Sequence, residues 1–300
     1  MEILLDQEIN SRFIVIDNLD DERLRPYRNL KERTLRGESL FISEGALVVE
    51  RLLRSPYEVD SVLITRKSGV ERCLELVPEE TPIYWINERE AMSRLVGFEF
   101  TRGILAVGRR RRLPDMLEGL EGFFCGESRR SRDSSRGGSA PSRRAWIVLP
   151  DATKPDNLGL VFRCGAALDA EAIILGEQCC DPFSRRALRV SMGGVLQIPI
   201  YQAKNLKEEI QEARRRWNLP FYSTVLDDAA ASSLEFGADV LAKNKYAAFV
   251  FGNEYSGLTP EFVSLCDRSI KIPMRSDVDS LNLGVSVGIF LYEFNRWNVF

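Results

Sequence analysis

The sequence predicts an α/β protein of two domains, the second built on a mostly parallel sheet covered by helices on both faces. Three observations predict it. Short apolar segments alternate with helical periodicity along most of the chain, the pattern of successive βα units. From residue 145 onward those segments are near-continuous apolar runs, as strands buried on both faces are. Residues 249–296 hold two strand-to-loop-to-helix transitions whose loops are rich in Gly, Ser and Asn. Such loops expose backbone N–H and C=O groups, and in open α/β sheets they gather at the carboxyl ends of the strands, where ligands bind.

Residues 1–112 read as a first domain, a small α/β/α layer. A charged helix is expected from Asp20 to Arg33. Phe41-Ile42-Ser43-Glu44-Gly45 leads into an amphipathic helix from Ala46 to Arg54. Val59 to Thr65 alternates apolar and polar residues and reads as a strand. A short helix, Gly69 to Leu76, precedes a second strand, Ile83 to Ile86. Glu88 to Leu95 reads as a helix with Asn87 as its N-cap, and Thr101-Arg102-Gly103 turns into a strand at Ile104 to Val107.

Residues 113–144 are dominated in their second half by Gly, Ser, Arg and Pro and are expected to be a flexible linker. Arg109 to Arg112 form one basic block, and Arg129, Arg130, Arg132, Arg136, Arg143 and Arg144 form a second. That second cluster suits a solvated linker or a segment that follows a phosphate backbone.

Residues 145–300 resume the alternation. Expected strands are Trp146 to Leu149, Ala172 to Leu175, Leu196 to Ile200, Phe221 to Val225, Ala247 to Phe251 and Ile270 to Pro273. Expected helices run from Asp156 to Leu168, Arg185 to Val190, Leu206 to Trp217 and Leu281 to Trp297, with a short one opened by Thr259-Pro260-Glu261.

Composition excludes several chemistries. The 300 residues contain 41 Lys and Arg against 44 Asp and Glu, so net charge alone does not point to nucleic acid. There is no histidine, which removes Ser-His-Asp triads, histidine bases and histidine metal ligands. The six cysteines form no Cys-x-x-Cys pair and read as reduced thiols of a cytoplasmic protein. No carboxylate cluster suggests a metal site, and no apolar run approaches the ~18 residues of a membrane span. Neither a Gly-x-Gly-x-x-Gly nor a Walker-type loop is present, which argues against a dinucleotide oxidoreductase.

What remains is a set of polar residues on α/β loops. Asn157 suits an N-cap. Arg163 stands among Val161, Phe162, Cys164, Gly165, Ala166 and Ala167, an apolar setting where a charge needs a partner such as Glu254 or a phosphate. Ser280 and Asn282 suit a cap and a turn, or a pocket wall.

Three blocks carry a family resemblance. They are Asn157-Leu158-Gly159 with Arg163, Phe251-Gly252-Asn253-Glu254-Tyr255-Ser256-Gly257-Leu258, and Ile272-Pro273-Met274 followed by Ser280-Leu281-Asn282-Leu283-Gly284-Val285-Ser286-Val287-Gly288-Ile289. Arg189 to Gly193 also fits. Across about half the chain the sequence resembles the SpoU/TrmH family of the SPOUT class, S-adenosylmethionine-dependent RNA ribose 2′-O-methyltransferases. The family usually has Ser at the position of Gly284, a change expected to affect helix packing more than chemistry. Residues 41–107 are similar, more faintly, to the ribosomal-protein-like substrate-binding domain of rRNA-directed members.

The resemblance implies a C-terminal domain closed by a deep trefoil knot that gathers the loops around 224–227, 252–258 and 272–282 into one S-adenosylmethionine pocket. It implies cofactor contacts from Gly252, Ile272 and Leu281, with Gly252 allowing close approach of the ligand. It casts Arg163 as the group acting on the 2′-hydroxyl. Asn157 would orient Arg163 or the nucleotide, Glu254 would hold Asn157 or Arg163 in place, and Ser280 and Asn282 would shape the cofactor and substrate contact. Arginine keeps its proton, so positioning the ribose and stabilising an alkoxide suit Arg163 better than true base behaviour. The implied partners are RNA, rRNA before tRNA, and a second copy of the chain packed through the last helix. A catalytically silent RNA-binding protein of the same fold is the alternative.

Overall fold

The computed structural model describes residues 12–30, 39–66, 69–126, 143–226, 231–232, 245–275 and 280–296. Arg129, Arg130, Arg132, Arg136, Asp227, Asp228, Asp279 and Trp297 lie outside the described residues, as does the end of the helix expected to reach Arg33. The chain forms two compact units, one of Met1–Arg111 with Phe183–Gln197, the other of Arg112–Pro182 with Ile198–Phe300.

In chain order, β1 is Phe13–Val15, followed by a 3-10 helix at Glu22–Tyr27 where the sequence predicted a longer α-helix. Pro26 lies inside that segment and removes a backbone donor, which suits a short tight turn. Then come β2 Leu40–Glu44, α1 Ala46–Leu53, β3 Val59–Thr65, α2 Glu71–Leu74, β4 Ile83–Ile86, α3 Arg89–Val96 and β5 Ile104–Arg109. The N-cap of α3 is Glu88, one residue later than expected, and Gly97 ends the helix with φ 81°.

The second unit opens with α4, Met116–Phe124, inside the segment expected to be linker. Asp115 and Glu118 form a capping box, and Met116, Leu120 and Phe123 are buried in the core. The Asp-x-x-Glu spacing before that apolar stripe is a signal the sequence reading passed over. The chain continues through β6 Arg144–Leu149, α5 Pro155–Ala167, β7 Ala172–Leu175, α6 Arg185–Val190, β8 Ile200–Gln202, α7 Leu206–Trp217, β9 Phe221–Thr224, β10 Ala231–Ser232, β11 Tyr246–Val250, α8 Pro260–Leu265, β12 Arg268–Lys271 and α9 Leu283–Arg296. Strand β8 starts later than expected. Gly194–Leu196 is a 3-10 turn, entered at Gly193 with φ 82°, and Pro199 has no N–H to give a ladder.

The first unit is a five-stranded mixed sheet in the order β1-β4-β3-β5-β2. Strands β1, β4 and β3 pair in parallel, and β5 is antiparallel to both β3 and β2. Leu24, Tyr27, Leu63, Met92, Val96 and Phe100 belong to its core. The segment carrying α6 packs within this unit. Arg185 reaches the buried carboxylate of Glu44 at 2.9 Å, and the Phe183 ring packs tilted against Phe41 and edge-on to Tyr57.

The second unit is a seven-stranded sheet in the order β10-β12-β9-β11-β6-β7-β8, with every pair parallel. The adjacent strands β11 and β6 are apolar throughout their buried stretches, as a sheet covered on both faces requires. Both basic blocks are partly used inside the fold. Arg109 pairs with Glu58 and Asp60, Arg112 with Asp115 and Glu118, and Arg144 with the buried Glu171.

Helices α5 and α9 cross closely. A Cβ on Gly284 would overlap the Leu160 side chain. Gly284→Ser is therefore expected to force the two helices apart and to lower stability by ~1–3 kcal/mol. Urea unfolding would show a lower midpoint, whereas an unshifted midpoint would mean the crossing has room for a side chain. Burial also pushes the Cys179 thiol up to about 12. Alkylation of the native protein near pH 8 should modify exposed Cys125 and spare Cys179, because the thiolate is the reacting form.

Candidate functional site

The site lies at the carboxyl ends of the parallel strands. A cavity of about 460 Å³ opens there, within the size range of small-molecule pockets. Its walls come from the three bends named by the sequence: Thr224 to Leu226 after β9, Phe251 to Leu258 after β11, and Ile272 with Met274 after β12, joined by Ser280 and Leu281. Gly252, Ile272, Leu281, Glu254 and Ser280 all line it, whereas Asn157, Asn282 and Arg163 do not.

Asn157 is not the cap of α5. Lys154 holds that position, Pro155 is the first helical residue, and Asn157 sits one turn in and is buried. Its carbonyl oxygen accepts from the Asn282 side-chain amide at 2.9 Å, and its own amide donates to a Glu254 carboxylate oxygen. These two bonds orient the Asn157 amide, because Glu254 can only accept when ionised. Asn282 caps α9, its side-chain oxygen accepting from Gly284 N–H at 2.9 Å and its backbone carbonyl from Ser286 N–H at 3.0 Å. One chain of hydrogen bonds therefore runs from the start of α9, through α5, to the loop after β11.

That loop is clamped against the one after β6. Asn253 donates to Asp151 at 3.2 Å, and Lys154 donates to the Tyr255 hydroxyl at 3.0 Å. Asn253 and Gly257 exchange backbone hydrogen bonds, closing a tight turn. A Cβ on Gly252 would overlap the backbone of Gly257 and Leu258. The glycine is thus required by the turn itself, a different reason from the ligand approach the sequence suggested.

Arg163 stands outside the buried stripe of α5. It is exposed and makes no hydrogen bond or ion pair with any described residue. The expected partnership with Glu254 is not formed, since Glu254 is engaged by Asn157. An exposed guanidinium keeps its hydration, so the burial cost inferred from the apolar neighbours does not arise. Periodicity would have shown this, because Leu158, Val161, Phe162 and Gly165 mark the buried side.

The sequence reading missed Phe251, Ser286 and Phe290 as cavity walls. Ser286 and Phe290 follow Asn282 at spacings of four, which places them on one face of α9. Among the described residues no group of three or more His, Cys, Asp or Glu could hold a metal, and no helix is long and apolar enough to cross a membrane.

Removing the middle of the hydrogen-bond chain leaves Glu254 and the Asn282 amide without their partner. Asn157→Ala is expected to lower stability by ~1–3 kcal/mol. Denaturant unfolding followed by tryptophan fluorescence checks it, and a parent-like midpoint would mean the chain contributes nothing.

The family model of the SpoU rRNA Methylase family matches residues 144–292. An uncharacterised tRNA/rRNA methyltransferase of Mycobacterium bovis is 29% identical over 282 residues, covering 92% of this chain and 90% of that protein. The 23S rRNA (guanosine-2′-O-)-methyltransferase RlmB of Acinetobacter baylyi is 26% identical over 258 residues, covering 84% of this chain and 95% of that protein. The fold is similar to that of the AdoMet-bound rRNA methyltransferase of Sinorhizobium meliloti, with a TM-score of 0.73 and 24% identity over 95% of this chain and 98% of that one. With its three sequence blocks gathered at one end of a parallel sheet, the chain belongs to the SpoU rRNA methylase family.

Proposed function

We propose that this chain methylates a ribose 2′-hydroxyl of structured RNA, with ribosomal RNA as the substrate class and S-adenosylmethionine as the methyl donor. The observation that carries the reading is the convergence of the bends after β9, β11 and β12 on one cavity, beside the Asn282–Asn157–Glu254 chain. The relative named for 2′-O-methylation of a guanosine in 23S rRNA supports the substrate class.

The cavity suits such a donor by its chemistry. Gly252, Ile272 and Leu281 share the lining with the apolar Phe251, Leu283 and Phe290 and with the polar Thr224, Ser256 and Ser280, so polar and apolar groups occur together. When bound, the donor supplies an electrophilic methyl group. The residues of the chain then have two tasks, alignment and charge stabilisation. Arg163, exposed and without a side-chain partner among the described residues, is assigned to the ribose-phosphate and to the developing alkoxide. It keeps its proton, so it acts as a donor of hydrogen bonds and not as a base. Glu254 and Asn157 hold the loop after β11, Ser280 shapes the mouth between donor and sugar, and Asn282 acts from outside the cavity by holding Asn157.

The same reading includes a cytoplasmic homodimer and a knotted C-terminal domain. Val285 and Tyr292 on α9 are 49% and 60% exposed, a spacing of two helical turns that suits a contact with a second copy.

Arg163→Ala should lower methyl transfer to ribosomal RNA ~10²–10³-fold while calorimetry shows parent-like binding of S-adenosylmethionine. Normal turnover by that variant would remove the assigned role. Absence of any cofactor binding by the parent protein would remove the function itself. Sedimentation of the parent as a monomer would remove the dimer.

A further inference from the structure

Tyr255 is 81% exposed, above every other large apolar or aromatic side chain among the described residues. Both its backbone and its hydroxyl are nevertheless engaged. Its backbone N–H donates to the Asn253 side chain at 2.9 Å, and Asn253 is in turn anchored on Asp151. The Lys154 ammonium lies 4.3 Å from the ring centroid and 3.0 Å from the hydroxyl oxygen. The ring belongs to the wall of the cavity, next to Glu254 and Ser256. It is therefore an open aromatic surface at the mouth of the site, held by its own loop and flanked by a cation.

We propose that Tyr255 is a stacking platform for an unpaired base of the RNA substrate, and that Lys154 holds a phosphate beside that base. The inference rests on the RNA methyltransferase reading and adds to it a residue that selects and positions the substrate. A 2′-hydroxyl inside a duplex is hard to bring into a cavity, so a nucleotide splayed from its neighbours is the natural substrate, and its base needs a surface to replace lost stacking. Aromatic side chains offer that surface to any base, and a nearby ammonium adds attraction for the backbone. The hydrogen bond to Tyr255 raises the Lys154 ammonium above its ordinary value, so it stays charged through the assay range. Tyr255 touches no reacting atom in this scheme, so its effect falls on RNA binding and not on the chemical step.

The experiment compares the parent with Tyr255→Ala, Tyr255→Phe and Lys154→Gln. One arm measures methyl transfer to total ribosomal RNA from cells lacking the protein, with KM and kcat separated. A second arm measures quenching of a single-stranded oligoribonucleotide containing 2-aminopurine, which reads stacking without methyl transfer. Tyr255→Ala is expected to raise the RNA KM ~10–100-fold with kcat within a few-fold, and to abolish the quenching. Tyr255→Phe is expected to match the parent in both arms, because the ring remains. Lys154→Gln is expected to flatten the dependence of log affinity on log salt by about one phosphate contact, a slope change of ~0.7. Calorimetry with S-adenosylmethionine should be unchanged in Lys154→Gln, whose side chain is not part of the cavity wall. Parent-like KM and quenching in Tyr255→Ala would overturn the proposal, as would a Tyr255→Phe variant that fails like the alanine one. A parent that transfers no methyl group would sink the enzymatic reading alone, since the quenching arm still decides the stacking.

Discussion

Strands β6 and β11 lie side by side in parallel, with Val148 opposite Val250 and the Phe251 N–H donating to the Val148 carbonyl at 2.9 Å. The site depends on that pairing. Parallel neighbours end at the same edge of the sheet, so the chain after Leu149 and the chain after Val250 leave it together. Three side-chain pairs then join the two exits: Asp151 with Asn253, Lys154 with Tyr255, and Asn157 with Glu254. The exposed Lys154–Tyr255 pair adds little stability by itself. The pair involving buried Asn157 matters more, because a buried polar group left without a partner costs more than the bond contributes when made.

Helix α9 completes the arrangement from the far end of the chain. Asn282 caps the helix with one side-chain atom and grips Asn157 with the other, so the start of α9 and the interior of α5 are fixed by one residue. Gly284 lets the two helices meet closely, and Ser286 and Phe290 turn from the same helix toward the cavity. The contacts that hold α9 on α5 therefore also place one wall of the cavity. Besides meeting α5 at Gly284, α9 packs on the sheet, with Phe290 and Phe294 against Phe249.

The first unit has its own core and its own sheet, and its chemistry is different. It places an ion pair between half-buried Arg185 and buried Glu44 where the segment carrying α6 meets β2, with the guanidinium also 4.4 Å from the Phe98 ring. A buried ion pair is weak evidence of stability but fixes register well, since either partner alone is costly to bury. That suits a segment arriving from distant sequence into a small domain.

Much of the secondary structure was legible in the residues. Val59–Thr65 is a strand with the bounds read from its alternation, Ile83–Ile86 and Ala172–Leu175 are strands with the bounds read from their apolar runs, and Arg185–Val190 and Leu206–Trp217 are helices with the bounds expected. The three motif blocks and the parallel character of the second sheet were legible too. These are local properties, written in neighbours a few positions apart. The helix at Met116–Phe124 was equally local and was obscured by the Gly-, Ser- and Arg-rich stretch after it. Only the tertiary structure decided that Glu254 holds Asn157 and not Arg163, that Asn157 also bonds to Asn282, that Arg163 faces solvent, and that the glycine at 252 serves its own turn. Those partners are about a hundred residues apart in the chain, and which loops meet is set by strand order, which no local pattern of side chains encodes.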